Sequence, residues 1–175
     1  MDTVMTLAKP RILLAASVLA VLVALPACGG SDSSSKSQQL LLQQGELYQI
    51  DQIERKWHEA LSRHQIALMM SLWAPNATWT AAPGVTLTGK GQIRRFWLTK
   101  TPAFDPKLHW VLDTPAYKIR ETANGDKGTL YFECDHIKLP QGKVIAVTAS
   151  DMQVAKMGGR WLITNNVGAT PKLSS

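Results

Sequence analysis

No stretch constrains this chain more than Trp57 to Trp97. There, two helical patterns are followed by the short strand ATWTA (77–81), a Pro83-Gly84 turn and TGKGQIRRFW (88–97) opening another helix. Leu47, Ile50, Ile53, Trp57, Ala60 and Leu61 fall three and four apart, which lays one apolar stripe along an amphipathic helix, the longest expected. A break at His64-Gln65 precedes a short second helix carrying Ile66, Met69, Met70 and Trp73. Ala74-Pro75 stops it, because the residue before a proline is pushed out of the helical region. Thr78 to Ala81 and Val85 to Thr88 read as strands flanking the turn, and Gln92 to Leu98 as a third helix that buries Ile93, Phe96 and Trp97.

Downstream the pattern becomes that of strands. Lys107 to Arg120, Gly128 to Leu139, Lys143 to Lys156 and Arg160 to Val167 are separated by the turn formers Asn124-Gly125-Asp126, Pro140-Gln141-Gly142 and Gly158-Gly159. Helices first and an antiparallel meander afterwards imply an α+β fold, the N-terminal helices covering one face of a curved, mostly antiparallel sheet. The Met and Trp residues of the second helix read as core; they form no cofactor box, and no cofactor is expected.

The N-terminus points to export. Ile12 to Leu25 is an unbroken apolar run behind Lys9 and Arg11, too short and too N-terminal for an ordinary membrane span, and reads as a signal peptide over residues 1–27. It ends in Leu25-Pro26-Ala27-Cys28-Gly29, which resembles a bacterial lipobox, with Pro26 where a small residue is usual. That resemblance implies that Cys28 is acylated and holds the mature chain on the extracytoplasmic side of the bacterial envelope, since several acyl chains on one residue anchor stably. Residues 28–45 would form the lipidated start and a tether, its GGSDSSSKS tract (29–37) too polar to repay the entropy of ordering. Residues 46–170 would form one domain, and 171–175 a tail.

A net charge of +6 with no long basic run argues against nucleic acid as a partner, and attraction to anionic lipid headgroups suffices to explain it. If Cys28 carries lipid, Cys134 stands alone, and its mid-strand place reads as a buried, inert thiol rather than a nucleophile.

HEALSRHQIALMMSLWAPNATWTAAPGVTLTGKGQIRRFW (58–97), together with Asp151 and the closing Gly158-Gly159-Arg160-Trp161-Leu162-Ile163 hairpin, resembles SnoaL-like domains of the nuclear transport factor 2-like superfamily. Ketosteroid isomerases belong to the same superfamily. The resemblance covers about residues 46 to 168. It implies a cone-shaped fold with a pocket between helices and sheet, and commonly a homodimer. The isomerase pattern carries over poorly. Its general-base Asp falls on Ala81 and its oxyanion Tyr on Trp57, so neither proton abstraction nor phenolic donation is retained; only its neutral Asp survives, as Asp151. At Gln65 the family usually has Asp, a better helix cap.

The candidate site residues follow from that carry-over. Trp57, Trp79, Ala81, Trp97 and Asn165 would line a pocket for a small, largely apolar ligand. Asp151 would contact the ligand if its strand turns it inward, and faces solvent or a dimer partner if not. An enzyme of another kind, a hydratase, cyclase or hydrolase, would rest on Asp151 with His136 or Asn165 as catalytic groups converging in one cavity. Glu133 and Asp135 share a face, read as solvated. His58 and His109 read as surface or satisfied residues, and no metal site is expected. The reading favoured by Trp57 and Ala81 is a binding or accessory domain without isomerase chemistry; a structural dimerisation module with a filled cone is the third.

Overall fold

The structure, a computed structural model, describes residues 31–101, 103–105, 107, 110–112 and 118–169. The signal peptide, Cys28, His109 and the tail 171–175 lie outside the described residues. Helices α1 (Ser31–Ser62) and α2 (Ile66–Ser71) lead into strands β1 (Trp73–Ala82) and β2 (Val85–Thr88). Helix α3 (Gly89–Lys100) is followed by β3 (Trp110–Leu112), β4 (Lys118–Asn124), β5 (Lys127–Lys138), β6 (Lys143–Met157) and β7 (Arg160–Ala169). The seven strands form one sheet in the order β2-β1-β7-β6-β5-β3, with β4 also pairing β5; β1 and β7 run parallel and every other pair antiparallel. The expected α+β fold is therefore present, with N-terminal helices over a mixed open sheet.

Several boundaries differ from the sequence reading. Helix α1 begins at Ser31, so the described part of the expected tether is helical: its Gln and Leu residues are good helix formers, and no proline interrupts them. Trp73 opens β1 instead of closing α2, because Ile163 N–H donates to Leu72 O at 2.8 Å and pulls the chain alongside β7. The single strand expected over 107–120 is split into β3 and β4, which pair with the two ends of β5.

Helix α1 packs against β3, β4, β5 and β7, and α3 packs on β1 and β2. The stripe Ile50, Ile53, Trp57, Ala60 and Leu61 is buried as its spacing requires. Opposite it lie the inner faces of the strands: Leu130, Phe132 and Cys134 on β5, Met152 and Val154 on β6, Ile163 on β7 and Trp79 on β1. At Gly128 a Cβ would collide with Thr122 O and stand 2.9 Å from Ile50 Cδ1. The absent side chain lets α1 sit against the sheet.

Candidate functional site

Three elements converge to make the interior aromatic. Helical spacing sends Trp57 inward from α1 and Trp97 inward from α3, and strand alternation turns Trp73 and Trp79 inward from β1. Trp79 stacks on Trp97 with ring centres 4.7 Å apart, Trp57 meets Trp97 edge-on at 5.6 Å, and Trp57 meets Phe132 at 5.9 Å. Ala81 is half-buried at the end of this wall.

The cluster has polar atoms turned inward. Among the described residues, the indole N–H groups of Trp73, Trp79 and Trp97 and both amide atoms of Asn166 are buried without a hydrogen-bond partner. Asn166 is 1% exposed and stands opposite Trp79 in the β1–β7 register and opposite Met152 in the β6–β7 register. A buried polar group without a partner costs about 1–3 kcal/mol. Five such atoms set in one aromatic shell are groups to which a ring-shaped molecule with polar substituents could bond.

A second polar group lies where α1 crosses β5. Glu54 and His58, one helical turn apart, are both fully buried, and Glu54 Oε1 stands 2.7 Å from His58 Nδ1. Glu54 O is 2.9 Å from the same nitrogen. Two acceptors on Nδ1 require it to carry a proton. Nε2, the other ring nitrogen, is buried without a hydrogen-bond partner among the described residues. Burial pulls the imidazole pKa down, but Cys134, the Glu54 carboxylate and the Glu54 carbonyl together outweigh it and push the value up to about 9.

Cys134 and Thr148 are direct partners in the β5–β6 register, with Sγ and Oγ1 3.3 Å apart. Thr148 is exposed, and its hydroxyl is also 2.9 Å from His136 Nε2. Burial holds His136 below its ordinary pKa, as does the charge on His58. Burial raises the Glu121 carboxyl from the other side, with Asp51 and Glu54 adding to the effect. The Glu54–His58 pair in the core and the Cys134–Thr148–His136 contacts nearer the surface are two separate polar groups, of which the buried pair can hold and move a proton.

Trp57, Trp79 and Trp97, the residues expected to line a pocket, come together in the aromatic cluster. Asp151 does not join them. It is exposed, alternating with buried Met152, and stands opposite Tyr131 and Val167 on the outer face of the sheet. His136 pairs with Ala146, far along the ladder from Asp151, so the two do not meet. Asn165 also faces outward, where its Oδ1 accepts the Thr78 hydroxyl at 2.7 Å; its neighbour Asn166 is the inward amide. The phase of β7 decides which of the two enters the core, and a bulge between Ile163 and Asn165 sets that phase. Glu133 shares the outer face but is buried, accepting the Tyr131 hydroxyl.

Glu54, His58 and Asn166 were missed as site residues. The signal for the first two was present, since positions 54 and 58 belong to the same stripe as 50, 53, 57 and 61, where a charged residue must be partnered. Among the described residues no group of His, Cys, Asp and Glu is arranged for a metal ion, and no helix is long and apolar enough to cross a membrane. A groove of about 190 Å³ between α1 and the β6–β7 turn, bordered by Gln49, Lys56, Leu72 and Arg160, contains none of the expected site residues.

Residues 55–162 match the family model of the SnoaL-like domain, more than half of the chain. The chain belongs to that family. No curated protein matches it. Solved structures agree on the SnoaL-like chain's architecture. A nuclear transport factor 2-like protein of unknown function from Pseudomonas putida superposes with a TM-score of 0.64 at 14% identity, over 73% of this chain and 88% of that one. A relative with a cystatin-like fold from Novosphingobium aromaticivorans gives 0.63 at 12% identity, over 84% and 94%. A protein named as a candidate dehydratase of the nuclear transport factor 2-like family from Streptomyces avermitilis gives 0.60 at 12% identity, over 75% and 99%. At these identities the likeness is one of fold.

Proposed function

We propose that this is a lipid-anchored protein of the bacterial envelope whose SnoaL-like domain binds a small, largely apolar, ring-shaped molecule, without ketosteroid isomerase chemistry. The observation that carries this reading is the set of unpartnered indole N–H groups and the unpartnered Asn166 amide within the Trp57–Trp79–Trp97 cluster. Stacked indoles suit a flat apolar body, and the amide and N–H groups suit one or two oxygen atoms on it. Ala81 stands where the isomerase needs a base, and alanine takes no proton.

The test is titration of the full chain with 2-naphthol, followed by tryptophan fluorescence. A saturable change weakened about tenfold in Asn166→Leu supports the reading, one removed hydrogen bond being about 1–3 kcal/mol. No saturable change, or equal affinity in both proteins, overturns it. Separately, incorporation of labelled palmitate that is lost in Cys28→Ser supports the anchor, and robust isomerisation of a 3-oxo-Δ5-steroid would sink the exclusion of isomerase chemistry.

The second reading, an acid/base enzyme, draws its support from the buried Glu54–His58 pair and no longer from Asp151. Turnover of a hydroxylated ring compound with loss of water, abolished by His58→Gln while naphthol binding persists, would favour it.

A further inference from the structure

Between Glu59 and Asp105 the chain contains no aspartate or glutamate, while Arg63, Lys90, Arg94, Arg95 and Lys100 all fall there. Most of the net charge of +6 therefore belongs to this one stretch, and four of its cations sit on α3. Arg63 and Arg55 each have a carboxylate one helical turn away, Glu59 at 3.0 Å and Asp51 at 2.7 Å. Nothing comparable occurs on α3: among the described residues none of Lys90, Arg94, Arg95 and Lys100 meets a carboxylate.

Local electrostatics run against this helix. Its first turn holds no acid and does hold Lys90, beside the positive end of the helix dipole. Lys90 and Arg94 stand four residues apart, a like-charge pair on one side of the helix. An anionic surface outside the helix would relieve both costs.

Packing decides which way the charges point. Ile93 and Trp97 are buried in the core and Phe96 meets Trp79 edge-on at 5.2 Å, so the opposite side of α3 is turned to solvent. Arg94, Arg95 and Leu98 occupy that side, with Leu98 one helical turn from both arginines. Leu98 is 42% exposed, and Val85, on the strand β2 against which α3 packs, is 36% exposed. A single exposed leucine is ordinary. One framed by two arginines without counter-ions is the pattern of an interfacial helix, whose long cationic stems lie along hydrocarbon while their heads reach phosphate. Leu98 also separates a bilayer from a nucleic acid, whose phosphates would meet the arginines but leave the leucine in water.

We propose that the outward face of α3, Arg94, Arg95 and Leu98 with Lys90 and Lys100 at its ends, docks the domain on an anionic lipid bilayer. The arginines meet phosphate headgroups, and Leu98 enters the interface between headgroups and acyl chains. The inference rests on the envelope reading above for the presence of a membrane beside the chain.

The test uses the full chain as Cys28→Ser, which removes the acyl site, with a nitroxide label on Leu98→Cys or, for comparison, on Asp151→Cys at the outer sheet face. Cys134 is 1% exposed and stays unlabelled under native conditions, which peptide mass mapping checks. Vesicles rich in phosphatidylglycerol should shield position 98 from a water-soluble nickel chelate and open it to oxygen, while position 151 stays open to the chelate. Attachment through the N-terminal apolar run alone would leave position 98 unshielded. In the double variant Arg94→Gln, Arg95→Gln, the lipid concentration for half-maximal shielding should rise about tenfold or more. No shielding on these vesicles, equal shielding on phosphatidylcholine or without lipid, or shielding by a DNA duplex in their place, overturns the proposal. The anchor is read separately by palmitate incorporation, so the failure of one reading is not mistaken for the failure of the other.

Discussion

Glu54 Oε1 lies 2.7 Å from His58 Nδ1, and neither side chain has any exposed surface. An acid and a base buried one helical turn apart hold each other in place, and breaking such a pair from one side leaves a charge with nothing opposite it.

The pair makes stability depend on pH. His58 has a folded-state pKa of about 9 against an ordinary value of 6.5, so the folded chain holds the proton more tightly than the unfolded chain. That contribution is complete below about pH 6.5 and is lost as pH rises through about 9, with a full size of at most about 3 kcal/mol. The titratable groups that act on it or feel its charge are Glu54, Cys134 and His136. Urea unfolding at pH 6.5 and pH 9 should show a larger stability loss in the wild type than in His58→Gln. Equal losses would remove His58 as the cause.

Asn166 gives a prediction of opposite sign for stability and binding. Its amide is buried without a partner among the described residues, so replacing it by leucine, similar in volume, removes a desolvation cost. Asn166→Leu should raise stability by roughly 1 kcal/mol or more while weakening naphthol binding. A clear fall in denaturation midpoint would mean that the amide is satisfied in solution.

Asp151 should be nearly silent in the monomer. It is exposed on the outer sheet face, and exposed substitutions away from special features change stability by about 0.5 kcal/mol or less. Asp151→Asn is expected to leave both the denaturation midpoint and naphthol titration unchanged. A tenfold loss of binding would return this residue to the site.

What the sequence made legible was whatever depends on local period and punctuation. The stripe from Ile50 to Leu61 specified the buried face of α1, and the turns at Gly125, Gly142 and Gly158, each with positive φ, marked the strand ends. Trp57, Trp79 and Trp97 could be placed inside for the same reason. Less legible was the phase of long strands, because a single bulge in β7 exchanges the inward and outward roles of Asn165 and Asn166 without altering composition. Asp151 illustrates the same limit. Partners distant in sequence were invisible as well: that the His58 ring would meet Phe132 depends on how α1 crosses β5.

Gln65 departs from a favourable helix start, and the structure shows the consequence. It occupies the N-cap position of α2 with no side-chain hydrogen bond to the helix, and the first turn holds no acidic residue. Aspartate there would accept from a free N–H group and complement the helix dipole. Gln65→Asp should stabilise the domain by about 0.5–1 kcal/mol, read as a rise in Tm. An unchanged Tm would show that α2 is held by Met69 and its packing alone.

Gly128 tests whether α1 and the sheet are as closely fitted as they stand. A methyl group at this position would collide with Thr122 O, and would lie 2.9 Å from Ile50 Cδ1 and 3.2 Å from Val154 Cγ2. The backbone oxygen cannot step aside without disturbing the β4–β5 ladder, where Gly128 pairs with Ala123. Gly128→Ala is therefore expected to cost about 1–3 kcal/mol, the usual penalty of overpacking. Part of that cost comes from the Ile50 methyl, so Ile50→Val in the Gly128→Ala background should recover a fraction of the stability, whereas Ile50→Val alone should lower it. Urea denaturation of the two single variants and the double variant measures the coupling; strictly additive effects would mean that α1 stands farther from β5 in solution.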